Sequence, residues 1–188
     1  MTQQFENRYT IEEYFALEEK AQHRNEYFQG RIYAMAGGTP KHNRISGNIY
    51  SELRTQLRKS TCQPFMSDVK VQVKANNLNT YPDVMVVCGD LEYAPNRTDT
   101  ITNTIFIAEV LSKSTRDYDR TDKFTLYKAL PSFQEYLLVD QTKIYIEHWH
   151  KTDILWSVRI YQNLADSVTL QSLNLVLPIE TIYDEIVF

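Results

Sequence analysis

Long apolar runs, cysteine and an excess of positive charge are what this chain has little of. No stretch of about 18 consecutive apolar residues occurs, and no charged start leads into the apolar core of a secretory signal, so neither a membrane span nor an export leader is expected. Among 188 residues only two are cysteine. Cys62 and Cys88 stand in apolar or mixed surroundings without metal-ligand spacing, which predicts small buried thiols in a reducing compartment rather than a disulfide, and with them a cytoplasmic location. A net charge of -4 excludes a protein that coats nucleic acid through a global positive field, and leaves room for a local basic groove. Linkers rich in proline, glycine or serine, internal repeats and low-complexity tracts are missing too. Residues 1–188 therefore read as one domain, able to bury roughly 70% of its unfolded surface.

What is there is tyrosine, 13 residues spread along the chain, a distribution that suits core and strand-face packing better than a base-stacking platform. Thr10-Ile11-Glu12-Glu13 has the form of a capping box and predicts a helix to about Gln22, with Tyr14, Phe15 and Leu17 on its apolar side. Glu26 to Met35 reads as a hairpin turning at Gln29-Gly30. Gly37-Gly38-Thr39-Pro40 breaks that pattern and opens a second helix over about Lys41 to Lys59, where Ile45, Ile49, Leu53 and Leu57 form a stripe fit to lie on a sheet. Arg44, Arg54, Arg58 and Lys59 fall outside the stripe, either as a solvated face or as an edge that faces phosphate. Val69 to Lys74 alternates as a half-buried strand should. An Asn76-Asn77-Leu78-Asn79 turn follows, and a polar loop of about fifteen residues, Gly89 to Asn103, is of a length that is usually functional or disordered.

Ser112-Lys113-Ser114-Thr115 offers helix caps, and Tyr118 to Leu130 reads as a third helix stopped by Pro131. Glu135 to Asp140 is a buried strand. Ile144 to Trp149, Leu155 to Tyr161 and Val168 to Leu170 have the spacing of an antiparallel meander, and Pro178 can start a short terminal helix. The expected class is α+β with a mixed sheet.

Two pieces hold candidate chemistry. In Tyr81-Pro82-Asp83-Val84 an acid precedes the apolar run to Cys88, and in Ile107-Ala108-Glu109-Val110 an acid closes another. An unpaired carboxylate is costly at the end of a buried strand. If these strands are antiparallel neighbours, the loop centre near Asn96 lies midway between 83 and 109, so the two acids fall opposite one another. Directly opposed residues lie about 4.5 to 5.5 Å apart on one sheet face. Carboxylates that close repel, raising one pKa unless a cation lies between them. Oxygen donors with few histidines suit magnesium or manganese better than zinc, and such an ion can polarise a phosphoryl oxygen and activate water. Lys123, Lys113 and Arg116 are in sequence reach as the cation that offsets charge in the transition state.

Pro82-Asp83, Glu109-Val110-Leu111-Ser112 with Ser114-Thr115, then Asp119, Lys123, Tyr127 and Glu135-Tyr136 to Val139-Asp140 resemble the bacterial restriction-endonuclease-like family of the PD-(D/E)xK nuclease superfamily. Glu26, Gly30, Met35 and His42 extend the likeness towards the amino terminus, so that it spans roughly Tyr9 to Asp140. The resemblance implies a restriction-endonuclease-like core, a central mixed sheet flanked by helices, to which the residues themselves add an N-terminal helix and hairpin and a C-terminal strand meander. It also implies a magnesium or manganese ion held by Asp83, Glu109 and the backbone carbonyl of Val110, with Glu26 joining the site. The superfamily lysine lies two residues after the glutamate, where this chain has Leu111. Lys123, on the next helix, matches the family's alternative source of that cation.

Plainer assignments stand beside these. Asp83 would simply open a strand after proline, Glu109 pair with a lysine or arginine, Lys123 pair with Asp119 one turn away, Glu26 be a solvated hairpin acid, and His42 be a polar residue at a helix start rather than a catalytic base. His148 and His150 alternate as a metal pair can, but Lys151 and Asp153 after them suggest an exposed turn. The function expected is hydrolysis of DNA by metal-activated water, with a homodimer fitting cleavage of both strands. The alternatives are a nuclease fold with little or no turnover that binds nucleic acid or another partner, and a nuclease for RNA or for branched or damaged DNA.

Overall fold

The structure, a computed structural model, describes residues 8–35, 37–112 and 116–188. The capping box is formed: the Thr10 side chain accepts from the Glu13 amide, Glu13 accepts from the Thr10 amide, and α1 (Ile11–Glu18) begins there. It ends at Glu18 and not near Gln22. The hairpin of β1 (Asn25–Phe28) and β2 (Arg31–Ala34) turns at Gln29 and Gly30, both at positive φ, the backbone that two-residue hairpin turns require. Thr39 caps α2 (Pro40–Gln56), which carries proline in its first turn and buries Ile45, Ile49 and Leu53. Each such side chain contributes about 1.5 to 3 kcal/mol on burial.

Then come β3 (Cys62–Met66), β4 (Lys70–Val73), β5 (Leu78–Thr80), β6 (Val84–Cys88), β7 (Thr100–Ile101) and β8 (Phe106–Leu111). The next helical stretch is α3 (Arg116–Tyr118), a π turn over Asp119–Lys123, and α4 (Phe124–Tyr127). The chain continues through β9 (Glu135–Asp140), β10 (Ile146–Thr152), β11 (Leu155–Tyr161), β12 (Ser167–Leu170), β13 (Leu175–Pro178) and α5 (Ile179–Ile182).

A six-stranded mixed sheet in the order β11-β10-β9-β8-β6-β3 organises these elements. β8 and β9 run parallel, and the remaining neighbours are antiparallel. Because side chains alternate along a strand, the sheet divides into two cores. Val84, Val86, Ala108 and Val110 face α2 and the C-terminal β12, β13 and α5. Met85, Val87, Ile107 and Leu111 face the opposite way, against α4 and a second, five-stranded sheet in the order β2-β1-β5-β4-β7. The class is α+β with a mixed sheet flanked by helices, as expected, and the second sheet is an addition to it.

Several expectations are corrected. Cys62 and Cys88 are not free thiols: they form a disulfide. They are directly opposed across antiparallel β3 and β6, which brings their side chains together, so the cysteines give no support to a reducing compartment. Among the described residues no helix is long and apolar enough to cross a membrane. β4 is buried on both faces, since Lys70 pairs with Asp99 and Gln72 donates to Asn79. The Gly89 to Asn103 loop contains β7, laid parallel to β4. The expected meander stops at β11, because β12 pairs with β13 in a sheet of their own. Lys113, Ser114 and Thr115, expected as caps and as a cation source, lie outside the described residues.

Candidate active site

β6 and β8 are antiparallel with Val84 opposite Ala108 and Met85 opposite Ile107. Carrying that register one residue further sets Asp83 opposite Glu109, and their odd-numbered phase is that of Met85 and Ile107. The contacts agree. The Asp83 amide donates to Glu109 Oε2 at 3.2 Å, and the Val110 amide donates to Asp83 Oδ2 at 2.8 Å. Each acid thus accepts a backbone hydrogen bond from the other's strand, which holds both carboxylates at one end of the β6–β8 pair. Glu109 is 3% exposed.

Lys123 reaches Glu109 from the π turn, its Nζ 2.9 Å from Oε1. It also lies 3.3 Å from Glu26 Oε1 and 3.8 Å from Asp119 Oδ1. Tyr127 donates its hydroxyl to the same Glu109 oxygen at 2.9 Å. The π turn lies immediately before α4, so Lys123 and Tyr127 reach one carboxylate together. Single π turns of this kind often mark functional sites. Glu26 projects from β1 and accepts a hydrogen bond from the Thr80 hydroxyl on the adjacent β5.

His42 completes the arrangement from the first turn of α2. Its Nε2 stands 3.0 Å from Asp83 Oδ1, a contact that sequence position does not reveal. Gly38 makes room for the ring, since a Cβ there would lie 2.8 Å from His42 Cδ2. A glycine four residues before a histidine is the only trace of this packing in the sequence.

Electrostatics follow from the crowding. Burial raises the Glu109 pKa; Lys123 opposes the rise, Asp83 and Asp119 reinforce it, and the net direction is upward. Burial would lower Lys123, but Glu109, Tyr127, Glu26 and Asp119 outweigh it, and the ammonium stays charged well above its ordinary range. Burial likewise works against a charged His42, and the hydrogen bond to Asp83 with the charges of Asp83 and Asp119 carries its pKa above the usual value.

The other candidates lie apart from this cluster or are engaged elsewhere. Arg116 donates to Asp140 at 2.9 Å. Leu111, two residues after Glu109, is fully buried among apolar side chains. His148 lies 2.9 Å from Glu135, which also accepts from the amides of Gln171 and Ser172, so that pair ties β9 and β10 to the segment before β13. His150 is near the Thr152 hydroxyl, and Asp153 turns the β10–β11 hairpin at positive φ.

Among the described residues no group of three or more His, Cys, Asp or Glu side chains is arranged to hold a metal ion. The chemistry of the donor set nonetheless fits a hard divalent cation. Asp83, Glu109 and the Val110 carbonyl offer oxygen only, and four carboxylates, those of Glu26, Asp83, Glu109 and Asp119, surround one lysine and one histidine.

The fold is similar to the crystal structure of "a putative nuclease belonging to DUF820" from Anabaena variabilis, with a TM-score of 0.77 and 17% identity over 95% of this chain and 99% of that one. At that identity the likeness is one of fold. Two relatives from Synechocystis sp. are similar along most of their length. Uncharacterized protein slr1290 is 38% identical over 178 residues, 94% of this chain and 92% of the relative. Uncharacterized protein sll1609 is 36% identical over 142 residues, 76% and 80% of the two chains. The model of the Uma2 family, described as "Putative restriction endonuclease", matches residues 11–180, and the chain belongs to that family.

Proposed function

We propose that this protein is a phosphodiesterase that hydrolyses DNA with the help of a bound magnesium or manganese ion. The observation that carries this reading is the opposed pair Asp83 and Glu109, each accepting a backbone hydrogen bond from the other's strand, with a buried lysine on Glu109. Asp83, Glu109 and the Val110 carbonyl would hold the ion, with Glu26 as a further ligand, and the ion when bound would supply Lewis acidity and an acidified water.

The chain's own residues do the rest. His42 fixes the rotation of the Asp83 carboxylate through Oδ1. Tyr127 and Lys123 do the same for Glu109 through Oε1. The Lys123 ammonium, 2.9 Å from Glu109, is a fixed positive charge beside the acids, placed to offset charge that develops on a phosphoryl group in the transition state. Membership in the Uma2 family supports a nuclease activity, and DNA is the substrate class that its description implies.

A second reading is favoured by one observation: Leu111 fills with buried hydrocarbon the place where the superfamily lysine stands. On that reading the fold has little or no turnover and serves as a nucleic-acid-binding or interaction module. Incubating the protein with plasmid and oligonucleotides in magnesium or manganese, beside Asp83→Ala and Glu109→Ala, separates the two. Cleavage by the parent, reduced on the order of 100-fold or more in each variant, is expected for the enzyme. No cleavage by the parent, or equal cleavage by all three proteins, sinks it. Manganese titration calorimetry checks the ligands independently, because Asp83→Ala should bind the ion more weakly than the parent.

A further inference from the structure

The sheet edges of this molecule are not alike. β3 carries Pro64, β7 has two residues, and β2 has four with Arg31 at its start. Short or proline-bearing edges resist further pairing. β11 differs from all of them. It runs for seven residues, Leu155-Trp156-Ser157-Val158-Arg159-Ile160-Tyr161, contains no proline, lysine or acid, and among the described residues has only β10 as a neighbour in its sheet. Apolar exposure is concentrated there and at the turn just before it: Ile154 is 87% exposed, Leu155 72%, Ile160 51% and Val158 44%. An edge of this length with a single charge, Arg159, is a template for another strand.

We propose that β11 is the surface through which two copies of this chain associate, by antiparallel pairing of their β11 strands about a two-fold axis at Val158. The occupant follows from the strand's own sequence. Pairing about Val158 sets Leu155 against Tyr161, Trp156 against Ile160 and Ser157 against Arg159 of the second copy. Trp156, Val158 and Ile160 share one face, so apolar residues meet apolar residues across the axis. Arg159, the strand's single charge, meets a hydroxyl. Moving the axis by one residue to Arg159 would oppose two like charges, which is destabilising. The contact is isologous and closes at two copies, joining two six-stranded sheets into one. This inference does not depend on the nuclease reading.

Ser157 tests both the surface and the register. It is exposed, as is Arg159, so substitutions there leave the core alone. Sedimentation analysis of the full chain over a range of concentrations, beside Ser157→Asp and Ser157→Arg, is the experiment. The expected result is a reversible dimer for the parent, tightened several-fold by Ser157→Asp, which faces an arginine twice per dimer, and loosened several-fold by Ser157→Arg. Circular dichroism and thermal midpoints matching the parent establish that both variants are folded. A parent that stays monomeric at every concentration overturns the proposal, and so does a dimer that responds to neither substitution.

Discussion

Lys123 is the only ammonium within reach of Glu109, Glu26 and Asp119 among the described residues, and it is itself buried. Replacing it with methionine keeps much of the volume and removes the charge. In metal-free protein at alkaline pH, where Glu109 is ionised, Lys123→Met should cost about 3 to 5 kcal/mol, the range for breaking a buried pair from one side. The cost should shrink as pH falls, because the Glu109 pKa is already raised and a protonated carboxyl needs no counter-charge. Urea unfolding of parent and variant over a pH series measures this, and a cost that is flat with pH would contradict it. Both partners were legible in the sequence as separate residues, and their contact was not, since it depends on how the helix after β8 is wound. His42 was less legible still, because its approach to Asp83 depends on the room left by Gly38.

That winding is the work of the π turn at Asp119–Lys123. A π turn is an α-helix with one residue extra, so deleting exposed Asp122 should restore regular helix, and one flank must then rotate by about 100° relative to the other. Arg116 bonding Asp140 on one flank and Lys123 with Tyr127 bonding Glu109 on the other cannot both survive that rotation. The expected outcome is a folded protein of reduced stability that lacks one of the two contacts, read by solving the variant's structure. Cap candidates before it and Pro131 after it marked a helix here, and neither kind of signal can show an inserted residue inside it. The β6–β8 register, by contrast, was visible in advance, because the midpoint of the intervening loop is a property of residue numbers alone. The burial of β4 escaped the same reading: Lys70 and Gln72 look solvent-facing until Asp99 and Asn79, distant in sequence or across a turn, satisfy them.

Asp99 also ties separate parts of the chain together. It accepts from Lys70 at the start of β4, from Arg97 and from Thr100 of β7, while Arg97 reaches on to Glu19 beyond α1. Burial pushes the Asp99 carboxyl up, but the hydrogen bonds from Arg97 and Lys70 outweigh it and hold its pKa below the ordinary 3.8. A depressed folded pKa gives stability that is complete above the unfolded value and is lost as pH falls through the folded one. Acid should therefore weaken the parent below about pH 4 more steeply than Asp99→Asn, which has no proton to gain. Chemical denaturation of the two proteins across that range tests the difference. The α+β class was legible because β6, β8 and β9 are short, nearly continuous apolar runs, the form taken by a strand buried on both faces. The second sheet was not, since it depends on strands of two to four residues that leave little periodic signal.

The cross-strand bond between Cys62 and Cys88 engages both cysteines of the chain. Under non-reducing conditions a single cysteine introduced on the surface is then the sole thiol open to a maleimide dye or a nitroxide. Placed at Asn96, at the tip of the loop between the two acid-bearing strands, one such label per chain gives spectroscopy a uniquely addressed reporter without prior removal of native thiols.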